Sequence, residues 1–285
     1  MNETLDAARA RQIRDALAED IGDGDWTGLL IPPERRVQAA LVVRERAVLC
    51  GRDWFDGVVR SLDPNARLDW RLAEGEWTAP GQTVLQLAGR ARALLTAERT
   101  ALNFLQLLSA TATATRRHVE AVAGASPRPD GVAILDTRKT LPGLRQAQKY
   151  AVRVGGGRNQ RLALWDGILI KENHIAAAGG IGAALAAARA LAAGVEVQIE
   201  VETLAQLREA LDAGATSVLL DNFDLDGMRA AVATTAGRAL LEVSGGVELE
   251  QLRAIAATGV DRISIGRLTK DVRAVDFSLR VTETL

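Results

Sequence analysis

From Val132 onward the chain repeats one pattern: a short apolar run, a longer segment with helical spacing, then another apolar run, with no proline after Pro142 to interrupt it. The runs predict strands at Val132–Leu135, Ile168–Ile170, Val195–Val201, Ser217–Leu220, Ala239–Val243 and Arg262–Ile265. Helices are expected between them, at Ile181–Ala193, Leu204–Ala213, Asp224–Thr235 and Leu249–Ala257. Strands that are apolar throughout and alternate with helices call for a parallel sheet covered by those helices. Six such strands, where a full TIM barrel has eight, point to an open, incomplete α/β barrel.

Each strand stops on residues able to do chemistry. Thr137, Arg138 and Lys139 follow the first, Lys171 the second, Glu200 and Glu202 close the third, Asp221 and Asn222 the fourth, and Ser244, Gly245 and Gly246 the fifth. The sixth ends on Ile265, Gly266 and Arg267. In a barrel all strand C-termini open on one face, so these side chains converge although they are distant in sequence. Gly155, Gly156 and Gly157 break the helix between the first two strands and deliver Gln160 and Arg161 to the same region.

The remainder of the chain reads differently. Leu5, Ile13 and Leu17 mark an amphipathic helix ending before Gly22 and Gly24, Val37–Cys50 reads as strand, and Trp54–Leu62 as a helix closed by Asp63 and Pro64. Arg67–Leu87 is mostly extended, with glycine and proline turns suited to a small antiparallel unit. Ala91–Val122 contains neither proline nor glycine and predicts one long helix, inside which Arg99 must reach solvent, pair with an acid such as Glu98, or project into a site; the ordinary ion pair is the reading the residues favour. The polar segment Ser126–Gly131 marks the entry to a second region.

Charge narrows the function. With 35 Lys plus Arg against 36 Asp plus Glu, no global field draws the protein to nucleic acid or to an anionic membrane, so anion binding has to be local. One cysteine, Cys50, excludes an internal disulfide or a multi-cysteine zinc site and reads as a buried small hydrophobe. The opening residues carry acids and no apolar core, and no apolar run approaches a membrane span, so the expected compartment is the cytoplasm.

The candidate site then holds five cations, Arg99, Arg138, Lys139, Arg161 and Lys171, and two acids, Glu200 and Asp221. Guanidinium groups grip carboxylate or phosphate in a bidentate fork, and Mg2+ commonly binds one or two carboxylates, water and substrate oxygens. A strongly anionic substrate pair bridged by a divalent metal fits this set. Lys171 has two readings, an electrostatic contact or a Schiff-base nucleophile with a lowered pKa. The SGG and IGR segments are suited to a phosphate, although helix caps and turns use the same residues. His118 reads as a helix-surface residue, and His174 equally as a site residue or a structural hydrogen-bonder.

The motifs AERTALNFLQLLSATAT, DTRKTLPGLRQAQKYAV, GGGRNQR, LIKENH, EVE, LLDN, EVSGGV and VDRISIGRLTK occur in this order across nearly the whole chain. Together they resemble the quinolinate phosphoribosyltransferase family, also called nicotinate-nucleotide pyrophosphorylase (carboxylating). The resemblance implies an N-terminal α/β sandwich over residues 1–112, joined by the segment 274–285, and an open barrel over 113–273. It implies transfer of a phosphoribosyl group from phosphoribosyl pyrophosphate to quinolinate with decarboxylation, Mg2+ as the metal, and a homodimer in which Arg99 reaches the other subunit's quinolinate. By the same resemblance Arg138, Lys139, Arg161 and Lys171 bind substrate carboxylates and phosphates, with Thr137 and Gln160 beside them. Glu200 and Asp221 face the ribose and its metal, and Ser244, Gly245 and Gly266, with Gly246, Ile265 and Arg267, form the 5-phosphate cradle. Two positions depart from the pattern. Gln160 stands where the family usually has histidine, which implies weaker quinolinate capture at acidic pH or a compensating cation nearby, and Gln198 stands where relatives often carry glutamate, outside the substrate contacts.

Overall fold

The structure, a computed structural model, describes residues 2–285. In chain order its first elements are α1 (Leu5–Ile21), β1 (Arg36–Val43), α2 (Arg52–Leu62), β2 (Arg67–Trp70), β3 (Thr83–Arg90), α3 (Ala91–Val122), β4 (Ala133–Leu135) and α4 (Arg145–Val154). Then follow β5 (Gly167–Ile170), α5 (Glu172–Ala178), α6 (Ile181–Ala190), β6 (Glu196–Val201), α7 (Leu204–Asp212), β7 (Ser217–Asp221) and α8 (Leu225–Thr235). The last are β8 (Leu240–Ser244), α9 (Leu252–Ala256), β9 (Arg262–Ser264), α10 (Arg267–Lys270) and β10 (Phe277–Thr284). Among the described residues no helix is long and apolar enough to cross a membrane.

The chain divides into two compact units. The first comprises residues up to Arg116, Thr140–Gly156 and Leu268–Leu285. Its sheet is antiparallel, in the order β10-β1-β3-β2, so the central strand β1 is flanked by a strand that follows it closely and by one from the far end of the sequence. Leu41 and Val43 of β1, Trp54 and Phe55 of α2, Leu102 and Leu105 of α3, and Phe277 of β10 share one apolar core. Ala147 and Ala151 of α4 belong to that core as well, which is why residues 140–156 fall in this unit although the sequence places them within the barrel segment 113–273.

β1 stops at Val43, short of the expected Cys50, although the sequence stays apolar beyond it. Past that point the backbone keeps a single bridge, Val48 to Trp77, and hydroxyl groups take the other N–H groups: Ala47 N–H donates to Thr78 Oγ1 at 3.0 Å, Val48 N–H to Thr113 Oγ1 at 2.7 Å, and Cys50 N–H to Ser109 Oγ at 3.0 Å. Two of these hydroxyls, Ser109 and Thr113, come from α3, whose polar positions thereby satisfy a buried backbone, as burial requires. Cys50 is itself fully buried, and that burial pushes its thiol pKa up.

The second unit, residues 117–139 and 157–267, holds six parallel strands in the order β4-β9-β8-β7-β6-β5. Chain order continues around the sheet, β4 lying beside β9, and among the described residues β4 and β5 are the neighbours left unpaired in an otherwise closed ring. The barrel is therefore open along one seam, as an open TIM-like architecture requires. β7 is buried over its first four residues, Ser217 to Leu220, and reads as almost continuous apolar sequence for that reason. The observed strands and the expected ones differ by a residue or two. Two helices differ more: α5 was hidden in residues read as a strand end, and α9 is shortened because Leu249–Gln251 is a 3-10 turn.

Candidate functional site

Lys171 and Glu200 are brought together by strand register. Leu169 of β5 pairs with Gln198 of β6 and Ile170 with Ile199, so the next position on β5 falls beside Glu200. Lys171 Nζ lies 3.1 Å from Glu200 Oε2, with the lysine side chain 46% exposed and the glutamate only 10%. Burial raises the Glu200 pKa above the ordinary value, the Lys171 ammonium draws it back, and the negative charge of Asp221 pushes it up again. Two carboxylates and an ammonium thus share one end of the strands. His174 serves as a structural hydrogen-bonder: its Nδ1 accepts the Lys171 backbone N–H at 3.0 Å and caps α5.

The cationic side of the site is assembled by Asp136, a residue that its place in the sequence does not mark as part of the site. It is fully buried at the end of β4 and accepts from Asn159 Nδ2 at 2.6 Å and from the Gln160 backbone N–H at 2.9 Å. Arg158 N–H donates to Ile134 O at 2.8 Å, extending the pairing along β4. Gln160 and Arg161 are thereby drawn to the strand end that carries Arg138. Arg161 Nη1 donates to Gly167 O at 3.2 Å, and its pKa is lowered by burial and by the like charge of Arg138. Two guanidinium groups close enough to repel each other define a place where a bound anion is favoured.

At the neighbouring strand end, a Cβ on Gly266 would stand 3.0 Å from Lys139 Cδ and 3.6 Å from Thr137 Oγ1, so the absent side chain leaves room for the lysine. Lys139 N–H in turn donates to Thr137 Oγ1 at 3.1 Å. Gly245 has φ +103°, and a Cβ there would meet Asn222 Oδ1 at 2.3 Å and Asn222 N at 3.2 Å, so both conformation and space exclude a side chain. Asn222, itself at φ 56°, donates from Nδ2 to Asp221 Oδ2 at 2.8 Å and so orients the second site carboxylate. Asp221 and Ser244 are register partners at the ends of β7 and β8.

Other candidates stand differently. The Ile265 side chain is buried and its N–H donates to Leu135 O at 2.9 Å, so it shapes the strand end without offering a donor. Arg267 pairs with Glu248, and Gly246 is an exposed turn residue at φ +55°. Arg99, in the first unit, is exposed and forms no ion pair among the described residues, contrary to the pairing expected from sequence; its charge does lower the burial-raised pKa of Glu98. Among the described residues no group of three or more His, Cys, Asp or Glu side chains could hold a metal; Glu200 and Asp221 are joined electrostatically as a pair of carboxylates.

Comparisons with known proteins match this architecture along the whole chain. Sequence models of quinolinate phosphoribosyl transferase match residues 111–280 for the C-terminal domain and 25–109 for the N-terminal domain. A nicotinate-nucleotide pyrophosphorylase [carboxylating] of Mycobacterium leprae is 43% identical over 285 residues, covering 96% of this chain and 97% of that one. A probable enzyme of the same name from Bacillus subtilis is 42% identical over 265 residues, with 93% and 90% covered. The solved nicotinate-nucleotide pyrophosphorylase of Francisella tularensis superposes with a TM-score of 0.92 at 42% identity, over 99% of this chain and 98% of that one. The chain belongs to the quinolinate phosphoribosyltransferase family.

Proposed function

We propose that this protein transfers the phosphoribosyl group of phosphoribosyl pyrophosphate to quinolinate and releases the 2-carboxylate, giving nicotinate mononucleotide, pyrophosphate and carbon dioxide in NAD biosynthesis. The observation that carries this reading is the neighbouring Arg138 and Arg161 guanidinium pair on the same barrel end as the Lys171–Glu200 pair. The names borne by relatives at 42 and 43% identity support it.

The guanidinium pair and Lys139 bind and orient the pyridine dicarboxylate, and the ring nitrogen attacks the ribose carbon that loses pyrophosphate. As that bond breaks, positive charge grows on the ribose, and the carboxylates of Glu200 and Asp221 stabilise it electrostatically. Lys171 holds Glu200 in place and counters developing negative charge. Ser244, Gly245 and Gly266 border the room for the 5-phosphate. The pair of carboxylates Glu200 and Asp221, close enough for the charge of one to raise the pKa of the other, fits Mg2+: they would hold the ion directly or through water, and it would supply charge to the leaving pyrophosphate. Once ribosylated, the cationic ring takes the electron pair left by the departing carboxylate, so this step needs orientation and no dedicated base.

The working form is a homodimer in the cytoplasm, with Arg99 of one subunit completing the other's site. Trp26, Leu29 and Leu30 are 79%, 59% and 82% exposed, a concentration of apolar surface that suits a second copy. The segment bearing them is fixed against α3, the helix of Arg99, through Thr96 Oγ1 to Asp25 Oδ2 at 2.7 Å and Arg92 Nη2 to Ile31 O at 2.6 Å.

The test mixes purified protein with quinolinate, phosphoribosyl pyrophosphate and Mg2+, with nicotinate as the comparison substrate. Nicotinate mononucleotide and carbon dioxide formed from quinolinate alone are the expected result. Product from nicotinate alone would overturn the specificity.

A further inference from the structure

Gln198 and Glu242 lie on β6 and β8, the two strands that flank β7, and are 3% and 1% exposed. A hydrogen bond joins them across the intervening strand: Gln198 Nε2 donates to Glu242 Oε2 at 2.9 Å. Gln160 Nε2 in turn donates to Gln198 Oε1 at 3.2 Å. The three side chains therefore form one directed chain from the barrel interior to the loop that carries Arg161.

Its direction is set at the buried end. Gln198 turns its amide nitrogen to the Glu242 carboxyl oxygen, an acceptor, and its own oxygen is then left for the nitrogen of Gln160. Each carboxamide has one way round. The Gln160 backbone is tied to Asp136 through its N–H, at 2.9 Å, so the side chain starts from a fixed point. Anchoring one N–H of a carboxamide fixes the direction of the other, and an N–H is the donor suited to a carboxylate oxygen.

Glu242 is not explained by stability. Gln198, Ser264 and the charge of Arg262 favour its ionised form, but burial outweighs them, and its buried Oε1 meets no donor at hydrogen-bond geometry, a cost that an apolar side chain of similar volume would avoid. Barrel layers of this kind are ordinarily filled by branched apolar residues from alternate strands. The carboxyl group makes sense through what it holds.

We propose that Glu242 and Gln198 are positioning residues for substrate capture: together they set the orientation of the Gln160 carboxamide toward the bound pyridine dicarboxylate. The proposal rests on the reading of Gln160 as a neighbour of quinolinate. Neither Glu242 nor Gln198 touches substrate, and Glu200, Asp221 and Lys171 are held by separate contacts, so the effect falls on quinolinate binding and not on departure of pyrophosphate.

Steady-state kinetics on Gln198→Met, Glu242→Leu and Glu242→Gln test this. Gln198→Met and Glu242→Leu are expected to raise KM for quinolinate roughly five- to tenfold, with kcat and KM for phosphoribosyl pyrophosphate within about twofold of the natural protein. Glu242→Gln keeps an oxygen that accepts from Gln198 and is expected to retain the natural KM. In a Gln160→Met background Gln198→Met should add nothing further, since all three act through one chain. Where Glu242→Leu fails to fold, the volume-conserving Gln198→Met carries the test. An unchanged quinolinate KM in Gln198→Met, or a joint shift of kcat and both KM values, would overturn the proposal. The Gln160 side-chain amide signal in NMR, assigned by its loss in Gln160→Met, gives a readout independent of turnover. A signal that moves with Gln198→Met and with quinolinate alone supports the positioning role even if no product forms, and a signal that ignores quinolinate sinks it.

Discussion

Glu200 is held between burial, which favours its neutral form, and Lys171, which favours the carboxylate. Stabilising a ribose cation requires the carboxylate, so kcat should fall as pH drops through an apparent pKa above the ordinary 4.5. A pH–rate profile whose acid limb lies at or below that value would remove Glu200 from the role. Arg138→Ala and Lys171→Ala should each lower kcat/KM by roughly a hundredfold or more while circular dichroism stays native; near-native rates in either would refute the assigned site. Arg138, Lys139 and Lys171 were legible in the sequence because charge arrives abruptly where an apolar run stops. Asp136 stands at the same boundary but faces inward, and nothing in its spacing distinguishes an anchoring carboxylate from a solvated one. In sequence Gln160 and Gln198 are two separate departures from a pattern, and their hydrogen bond, 38 residues apart, is visible only with the fold.

Strand β8 carries the buried carboxyl of Glu242, whose pKa is raised first by burial, against the pull of Gln198. A raised folded pKa means that the stabilising contribution is fully present below the unfolded value and is lost as pH rises through the folded one. Glu242→Gln should therefore unfold at higher urea than the natural protein near pH 8, and the gap should close toward pH 4; a gap that widens on acidification would contradict the sign. At the end of α4, Gly155 packs so closely on α3 that a Cβ would lie 2.6 Å from Ala112 O and 2.6 Å from Thr115 Cβ. Gly155→Ala should cost about 1–3 kcal/mol in urea titration, the range for overpacking. The first two of the three consecutive glycines thus act differently: Gly155 gives close approach and Gly156, at φ +90°, gives the turn. The barrel strands were legible because apolar runs with abrupt ends have few other readings. β1 was overextended because its apolar sequence continues past Val43 into backbone satisfied by hydroxyls of Ser109 and Thr113, partners that no local pattern announces.

On the scale of the whole molecule, the proposed sharing of Arg99 has a quantitative signature. Arg99→Ala and Lys171→Ala dimers are each inactive, but after exchange of subunits half of the dimers are mixed, and each mixed dimer holds one intact site. Activity should recover to about a quarter of the natural level, as twofold symmetry dictates. No recovery after verified exchange would place Arg99 in its own subunit's site. The antiparallel sheet has a consequence for synthesis. β1 is paired on one side by β10, whose residues follow the entire barrel in the chain. On the ribosome, the N-terminal sheet must wait with one edge of β1 bare until the barrel has been translated, while the barrel strands can pair as they emerge. The portion made first is finished last, and an unpaired β1 is where a stalled or truncated chain would find the wrong neighbour.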